Sequence, residues 1–356
     1  MPGQPLLIDG SYGEGGGQIL RTALGLAVAL HQPVQLIQVR AHRPKAGLQP
    51  QHLTVVQALR EISVAEVTGD SLGSTALTFV PRSLRAGSYR FDIGAMTGSA
   101  GSVSLLFQAL LLALAFAGMP SRLTLVGGTH VPWSPPVHYL SEVFLPALDE
   151  IGLEARVQLR RWGWYPAGGG EVEATIRPSP ALGGFQADGA ATPPITGLSA
   201  VSRLPRSIAE RQRHRALERL AAAGLAAEIA VEEDTSARGP GTFLFLARRG
   251  RAGFSALGRR GVPAERVADE AVEELLAYLA AGAAVDQHLA DQLVPFLALA
   301  GAPSSYTCPA VSGHLATVAW VVEQFLPTRV AVDAGLTTRV RIIPGRTAIA
   351  LPPGGG

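Results

Sequence analysis

Apolar and polar positions alternate along this chain in short, well-separated blocks. Leu6 to Ile8 reads as a strand, the stretch GSYGEGGGQ as a turn, and Ile19 to Leu30 as an apolar helix, followed by a strand over Val34 to Val39. Three longer segments share one plan: an amphipathic helix, a strand, a turn, and a second strand closed by proline. They are LQPQHLTVVQALREISVAEVTGDSLGSTALTFVP, VHYLSEVFLPALDEIGLEARVQLRRWGWYPAGGGEVEATIRP and SGHLATVAWVVEQFLPTRVAVDAGLTTRVRIIP, ending at Pro81, Pro178 and Pro344. Ala76 to Val80 and Glu171 to Ile176 alternate with the period of half-buried strands, and the helices repeat apolar residues at three and four. Units of this kind bury their helix faces against one another.

The spacing of the three segments is uneven. Pro81 and Pro178 are 97 residues apart, whereas Pro178 and Pro344 are 166 apart, an excess of 69. Directly after Pro178 comes SPALGGFQADGAATPP, a linker by composition. Beyond it lies a self-contained pattern: strand Ile195 to Val201, helix Ser207 to Ala223, strands near Ala227 to Glu232 and Thr242 to Ala247, strand Gly253 to Leu257, and helix Ala264 to Leu279. The expected layout is a large domain of residues 1–184 and 285–356 carrying three repeats. A smaller α/β domain, residues 185–284, is inserted between the second and third.

Composition narrows the class. In 356 residues, 47% apolar and 16% charged is the balance of a folded chain with a large core. The longest apolar run, Val103 to Met119, is broken by Gln108 and is shorter than the ~20 residues a membrane span needs, so it reads as a central buried helix. The N-terminus has no basic segment followed by an apolar one, and Cys308 is alone, which excludes an intramolecular disulfide. A cytoplasmic protein without a membrane partner is the expectation. Net charge is only +2, but Lys45 is the sole lysine, so any lysine nucleophile must be Lys45.

Four groups carry candidate chemistry. The first loop matches neither G-x-x-x-x-G-K-[ST] nor G-x-G-x-x-G, and a glycine cluster serves as readily for a tight turn. Glu14 and Arg21 add a metal-binding carboxylate and an arginine able to pair with phosphate. The stretch VRAHRPKAGLQPQHL gathers Arg40, His42, Arg43, Lys45, Gln51 and His52 between a strand and a helix; it is either a solvated loop or a phosphate site. In DQHLADQL, His288, Asp291 and Gln292 share one helix face, with Leu289, Ala290, Leu293 and Val294 able to cover the other. His314 stands two residues after Ser312 at a helix start, where a histidine is more often a cap or core group than a nucleophile for phosphorus. There is no zinc pattern and no G-x-S-x-G elbow.

In this order the groups resemble the RNA 3′-terminal phosphate cyclase family. The matching text is DGSYGEGGGQILR, RAHRPKAGLQPQHL, GGTHVPWSPP, YPAGGGEVE, LPRSIAERQ, ADQLVPFLALAG and GHLATVAWVVEQFLP, spread from residue 9 to residue 327. The resemblance implies an α/β fold of the α+β sandwich type. Its large domain has three helix/sheet units like the C-terminal domain of translation initiation factor three, and a small α/β domain is inserted. It also implies conversion of an RNA 3′-phosphate to a 2′,3′-cyclic phosphate with ATP and a divalent metal, Mg²⁺ or Mn²⁺. A histidine takes AMP, passes it to the RNA phosphate, and the 2′-hydroxyl then displaces it. Lys45 is followed by Ala–Gly–Leu and not by the x-D-G of lysine-adenylating ligases, which leaves the histidine route.

By motif position His314 is the nucleophile, with Arg21 and Arg43 in the catalytic set and Glu14 the metal-binding carboxylate. Gln108, Arg40, Gln51, His52 and the run His288, Leu289, Ala290, Asp291 and Gln292 fall to the nucleotide. Gln108 would explain one polar residue in an apolar helix. Two positions depart from relatives: His288 stands where Tyr is found, and Val318 where some carry Asn. The partners implied are RNA 3′-phosphate ends; a homodimer is compatible with the sequence but marked by no feature of it. Two rival classes are a cyclase-like RNA-associated protein without catalysis, against which His314, Glu14, Arg21 and Asp291 argue, and an enolpyruvyl transferase, which would leave HLADQ and GHLATV without a role.

Overall fold

The computed structural model describes residues 4–95, 98, 100–179, 181–190 and 192–345. It is a mixed α/β protein built of helices and several small mixed sheets. The first stretch runs β1 (Leu6–Asp9), α1 (Gly17–Ala29), β2 (Val34–Ile37), α2 (Pro50–Ser63), β3 (Glu66–Thr68) and β4 (Leu77–Val80). The second runs β5 (Ser88–Asp92), α3 (Val103–Leu114), β6 (Ser121–Gly127), α4 (Val137–Tyr139), a π-helical turn (Leu140–Phe144), α5 (Leu145–Asp149), β7 (Ala155–Arg161) and β8 (Gly170–Ile176). After β9 (Gln186–Ala187) come β10 (Ile195–Ser202), α6 (Arg206–Ala222), β11 (Ala227–Asp234), β12 (Gly241–Arg248), β13 (Ala252–Leu257) and α7 (Ala264–Ala281). The chain closes with α8 (Gln287–Ala298), β14 (Ser304–Cys308), α9 (Gly313–Phe325), β15 (Arg329–Asp333) and β16 (Thr338–Ile343).

Among the described residues, three of the four sheets have one strand plan. Their orders are β1-β2-β4-β3, β5-β6-β8-β7 and β9-β14-β16-β15, each with a parallel first pair and two antiparallel pairs. The fourth sheet is β11-β10-β12-β13. Gln186–Ala187, inside the range expected for the inserted segment, pairs in parallel with Ser305–Tyr306. The third sheet therefore takes its first strand from ahead of residues 195–283.

Helix α1 packs against both α3 and α9. Their sequences explain this: α1 buries Ile19, Leu20 and every residue from Thr22 to Ala29, and α3 is apolar apart from the small Ser104 and Gln108. Ser102 starts α3 cleanly by accepting from the Leu105 amide, and the apolar run leaves the helix at Leu114. The strand over Val34 stops at Ile37 because Gln38 and Arg40 turn to positive φ, 52° and 57°.

Residues 195–283 form a separate apolar cluster around Leu220, Leu244, Val272 and Leu275. The other face of this sheet presents Phe243 and Phe245 to the main core, where His130, His138, Trp162 and Trp164 pack against Phe243. That contact brings β13 and α7 to the edge of a cavity of about 470 Å³.

Candidate active site

The cavity lies where α1, α3, α8 and α9 meet the end of β13 and α7. Of the residues expected from sequence, Arg21, Gln108, His288, Asp291, Gln292 and His314 line it. Helical geometry explains the selection on α8, since residues at i, i+3 and i+4 project to one side. Leu289 and Ala290 are fully buried in the apolar core on the opposite side, as are Leu293 and Val294. Across the cavity Gln108 donates to Gln292 Oε1 at 2.8 Å, so the polar residue of the apolar helix has its partner here.

Asp286 fastens the start of α8. One carboxylate oxygen accepts from the amides of His288 and Leu289, both at 2.7 Å; the other accepts from Gly253 on β13 at 2.8 Å, and Tyr139 donates its hydroxyl to both at 3.0 Å. A single side chain thus ties together α8, α4 and the fourth sheet. Burial raises the Asp286 carboxyl above its ordinary range, and it raises Asp291 far more, with Asp286 adding to the effect and Arg21 opposing it.

His314 sits at the start of α9, with Ser312 capping the helix by accepting from the Leu315 amide at 2.9 Å. Its Nδ1 lies 2.5 Å from Gln18 Oε1 on α1. A carbonyl oxygen only accepts, so Nδ1 carries the proton and Nε2 presents its lone pair. Burial lowers the His314 pKa, the Glu14 carboxylate works against that, and Arg21, His288 and Arg43 add to the lowering, so the surroundings on balance favour the neutral ring. Glu14 Oε2 stands 3.3 Å from Nε2 and 3.4 Å from Arg43 Nη2. With Nδ1–H taken by Gln18, Nε2 and Glu14 face each other as two acceptors, an arrangement that a proton or a cation relieves. The described residues hold no cluster of three or more His, Cys, Asp or Glu side chains able to cage a metal.

The glycine-rich turn is shaped to make these approaches. Gly13 and Gly15 take φ of +56° and +54°, conformations that side chains disfavour. A Cβ on Gly17 would run into His52 Nε2, and one on Gly313 into the Glu14 carboxylate.

The remaining expected residues stand around the cavity, not along it. Arg40 turns back on its own loop, donating to the carbonyls of Lys45 and Gly47. Gln51 packs against Gly101. His52 is buried behind the turn, and burial, then Arg21 and Arg40, bring its pKa down to about 3, so it is a neutral support for Gly17. Arg21 is recessed far enough that its pKa falls to about 10, which leaves it a cation.

Several lining residues escaped the sequence reading. Gln18 was visible only as the residue one helical turn before Arg21. Asp286, which does not line the cavity but fastens α8, had a legible signal, an aspartate directly before a helix. Trp133, Ser134, Ser255 and Glu274 complete the rim, and Trp133 is 96% exposed with φ of +59°.

The family model described as RNA 3′-terminal phosphate cyclase matches residues 12–332. A protein of Methylococcus capsulatus named RNA 3′-terminal phosphate cyclase is 48% identical over 92% of this chain and 92% of its own. One of the same name from Gloeothece citriformis is 45% identical over 89% of this chain and 93% of its own. A solved structure of EPSP synthase from Acinetobacter baumannii covers 97% of this chain and 66% of its own at 13% identity, with a TM-score of 0.29, too low to bear on fold or function.

Proposed function

This chain belongs to the RNA 3′-terminal phosphate cyclase family of enzymes, and from that premise we propose that it closes RNA 3′-phosphate ends by way of a His314–AMP adduct formed from ATP. The observation that carries the proposal is the Gln18–His314 pair, which turns an unprotonated Nε2 toward the cavity beside Glu14 and Arg21. In the first step Nε2 attacks the α-phosphorus of ATP, a nitrogen–phosphorus bond forms, and pyrophosphate leaves. Positive charge spreads to Nδ1–H, whose bond to Gln18 strengthens as it does. In the second, an oxygen of the RNA 3′-phosphate attacks that phosphorus and the imidazole departs, giving RNA(3′)pp(5′)A. In the third, the ribose 2′-hydroxyl attacks the RNA phosphorus, loses its proton and expels AMP, leaving the 2′,3′-cyclic end.

The roles of the other residues follow from position. Arg21 supplies positive charge from the cavity wall to phosphate oxygens, and Arg43 supplies it beside Glu14. His288, Gln108 and Gln292 offer a flat ring and amides for the adenosine, with Asp291 on the same face. Glu14 is a hard oxygen donor that suits Mg²⁺ or Mn²⁺ as one ligand among phosphate and water oxygens, in keeping with the absence of a protein cage among the described residues. Such an ion would neutralise phosphate charge. Within this reading Leu289 and Ala290 serve the adenosine only by holding α8 in the core.

We also read the three sheets of common plan as three repeats like the C-terminal domain of translation initiation factor three. The inserted domain then begins after β9 and ends before α8. Shared strand order and the separate apolar cluster support this.

The test is incubation with ATP radiolabelled at the α-phosphate, with Mg²⁺ or Mn²⁺, followed by denaturing electrophoresis. An adduct labile to acid, stable to alkali and missing from His314→Ala is the expected result. A folded protein that takes no label with either ion would end the proposal.

A further inference from the structure

The segment from Tyr12 to Glu14 runs antiparallel to α9, and three contacts set its register. Glu14 lies against Gly313, a Cβ on Gly13 would come within 2.5 Å of Thr317 Oγ1, and the Tyr12 ring stacks on Trp320 with centroids 4.1 Å apart and planes 11° apart. Positions 313, 317 and 320 follow one helix face. Trp320 comes six residues after His314, roughly 9 Å of helix rise. Trp320 is about a third of a turn round the helix from His314, but Glu14, at the other end of this register, stands 3.3 Å from His314 Nε2, so the strip that begins at the stacked pair ends at the reactive histidine.

Trp320 is anchored on the core, whereas Tyr12 is not part of it and is 42% exposed although one ring face is covered. Basic residues flank the same turn. His42 Nδ1 lies 3.3 Å from the Gly13 carbonyl, Gly15 packs on the His42 ring, and Gly16 on the Arg43 guanidinium, so the exposed loop of Ala41 to Ala46 lies directly alongside. An exposed aromatic surface beside a strip of positive charge is how proteins hold single-stranded nucleic acid without reading its sequence.

Resting on an RNA 3′-phosphate as the substrate, we propose that Tyr12, backed by Trp320, is the platform on which the base of the terminal RNA nucleotide stacks. Its phosphates lie along the cations of the neighbouring loop. Stacking accepts every base, so the platform demands that a base be present and is indifferent to which one.

The test compares two 3′-phosphorylated oligoribonucleotides, one ending in an ordinary nucleotide and one in an abasic ribose that keeps its 2′-hydroxyl. Binding is measured by fluorescence anisotropy without ATP, so it does not depend on the proposed chemistry. Adduct formation from ATP alone is measured separately and judges that chemistry. A stacked base contributes about 1–3 kcal/mol, so the native protein should bind the complete end roughly 5- to 150-fold more tightly. Tyr12→Leu keeps bulk on Trp320 but removes the π face; it should erase the preference, with a loss in RNA binding that exceeds any loss in adduct formation, and Tyr12→Phe should restore it. Equal binding of the two ends by the native protein would overturn the proposal. So would a Tyr12→Leu variant that keeps the preference, or one whose only defect is in adduct formation, since the rings would then merely position Glu14.

Discussion

Replacing Gln18 by alanine removes one hydrogen bond from the imidazole that the mechanism makes the nucleophile. In the native arrangement Gln18 Oε1 accepts from His314 Nδ1 at 2.5 Å, which fixes both the ring's orientation and its tautomer. The bond matters most in the transition state, where the ring gains positive charge as Nε2 bonds to phosphorus. A hydrogen bond to a charged group contributes about 1.5–3 kcal/mol, so Gln18→Ala should slow adduct formation roughly 10- to 150-fold at saturating ATP. Gln18→Glu makes a separate demand. A carboxylate at this position stabilises imidazolium and opposes the burial that lowers the His314 pKa, so the acid limb of the adenylation pH profile should move to higher pH. The assay is the initial rate of label transfer to protein across pH, with His314→Ala as background. Rates for Gln18→Ala within about twofold of native at every pH would refute the assigned role, because an orienting bond that can be removed without kinetic effect orients nothing.

Arg21→Ala should lower kcat/KM for ATP in adduct formation by about 100-fold or more, since a cation recessed in the cavity is lost; an unchanged value would remove Arg21 from phosphate binding. Gly17→Ala should cost roughly 1–3 kcal/mol, because its Cβ has no room beside the buried His52 ring, and an unchanged urea midpoint would show that the ring yields. His52 gives a pH dependence whose sign is fixed by its lowered pKa of about 3: the unfolded chain binds the proton first. Its contribution is complete above about pH 6.5 and is lost toward pH 3 at up to about 1.4 kcal/mol per pH unit. Denaturant midpoints at neutral and acid pH should therefore converge in His52→Gln relative to native protein, and an equal acid loss in both would contradict the burial argument.

What could be read from the chain divides along physical lines. Periodicity alone placed His288, Asp291 and Gln292 on one face of α8, and all three line the cavity. Leu289 and Ala290, carried along with them as one contiguous motif, fall on the core side, because a five-residue run cannot keep all its side chains on one face of a helix. The helix–strand–turn–strand segments ending at Pro81, Pro178 and Pro344 were legible for their long amphipathic patterns. Of the strands that begin these sheets, β1 was legible as Leu6 to Ile8, whereas β5 was not, and β9 is two residues long and has no period to detect. The Gln18–His314 bond joins residues 296 apart, and the Tyr12–Trp320 stack joins residues still farther apart. Neither residue type signals its partner. What decides both contacts is the register of the glycine turn along α9, and that register depends on Gly13 and Gly313 leaving room for Thr317 and Glu14. The glycines looked in sequence like a cradle for a ligand. In the structure their first task is to let two segments from opposite ends of the chain touch, and the site exists because they do.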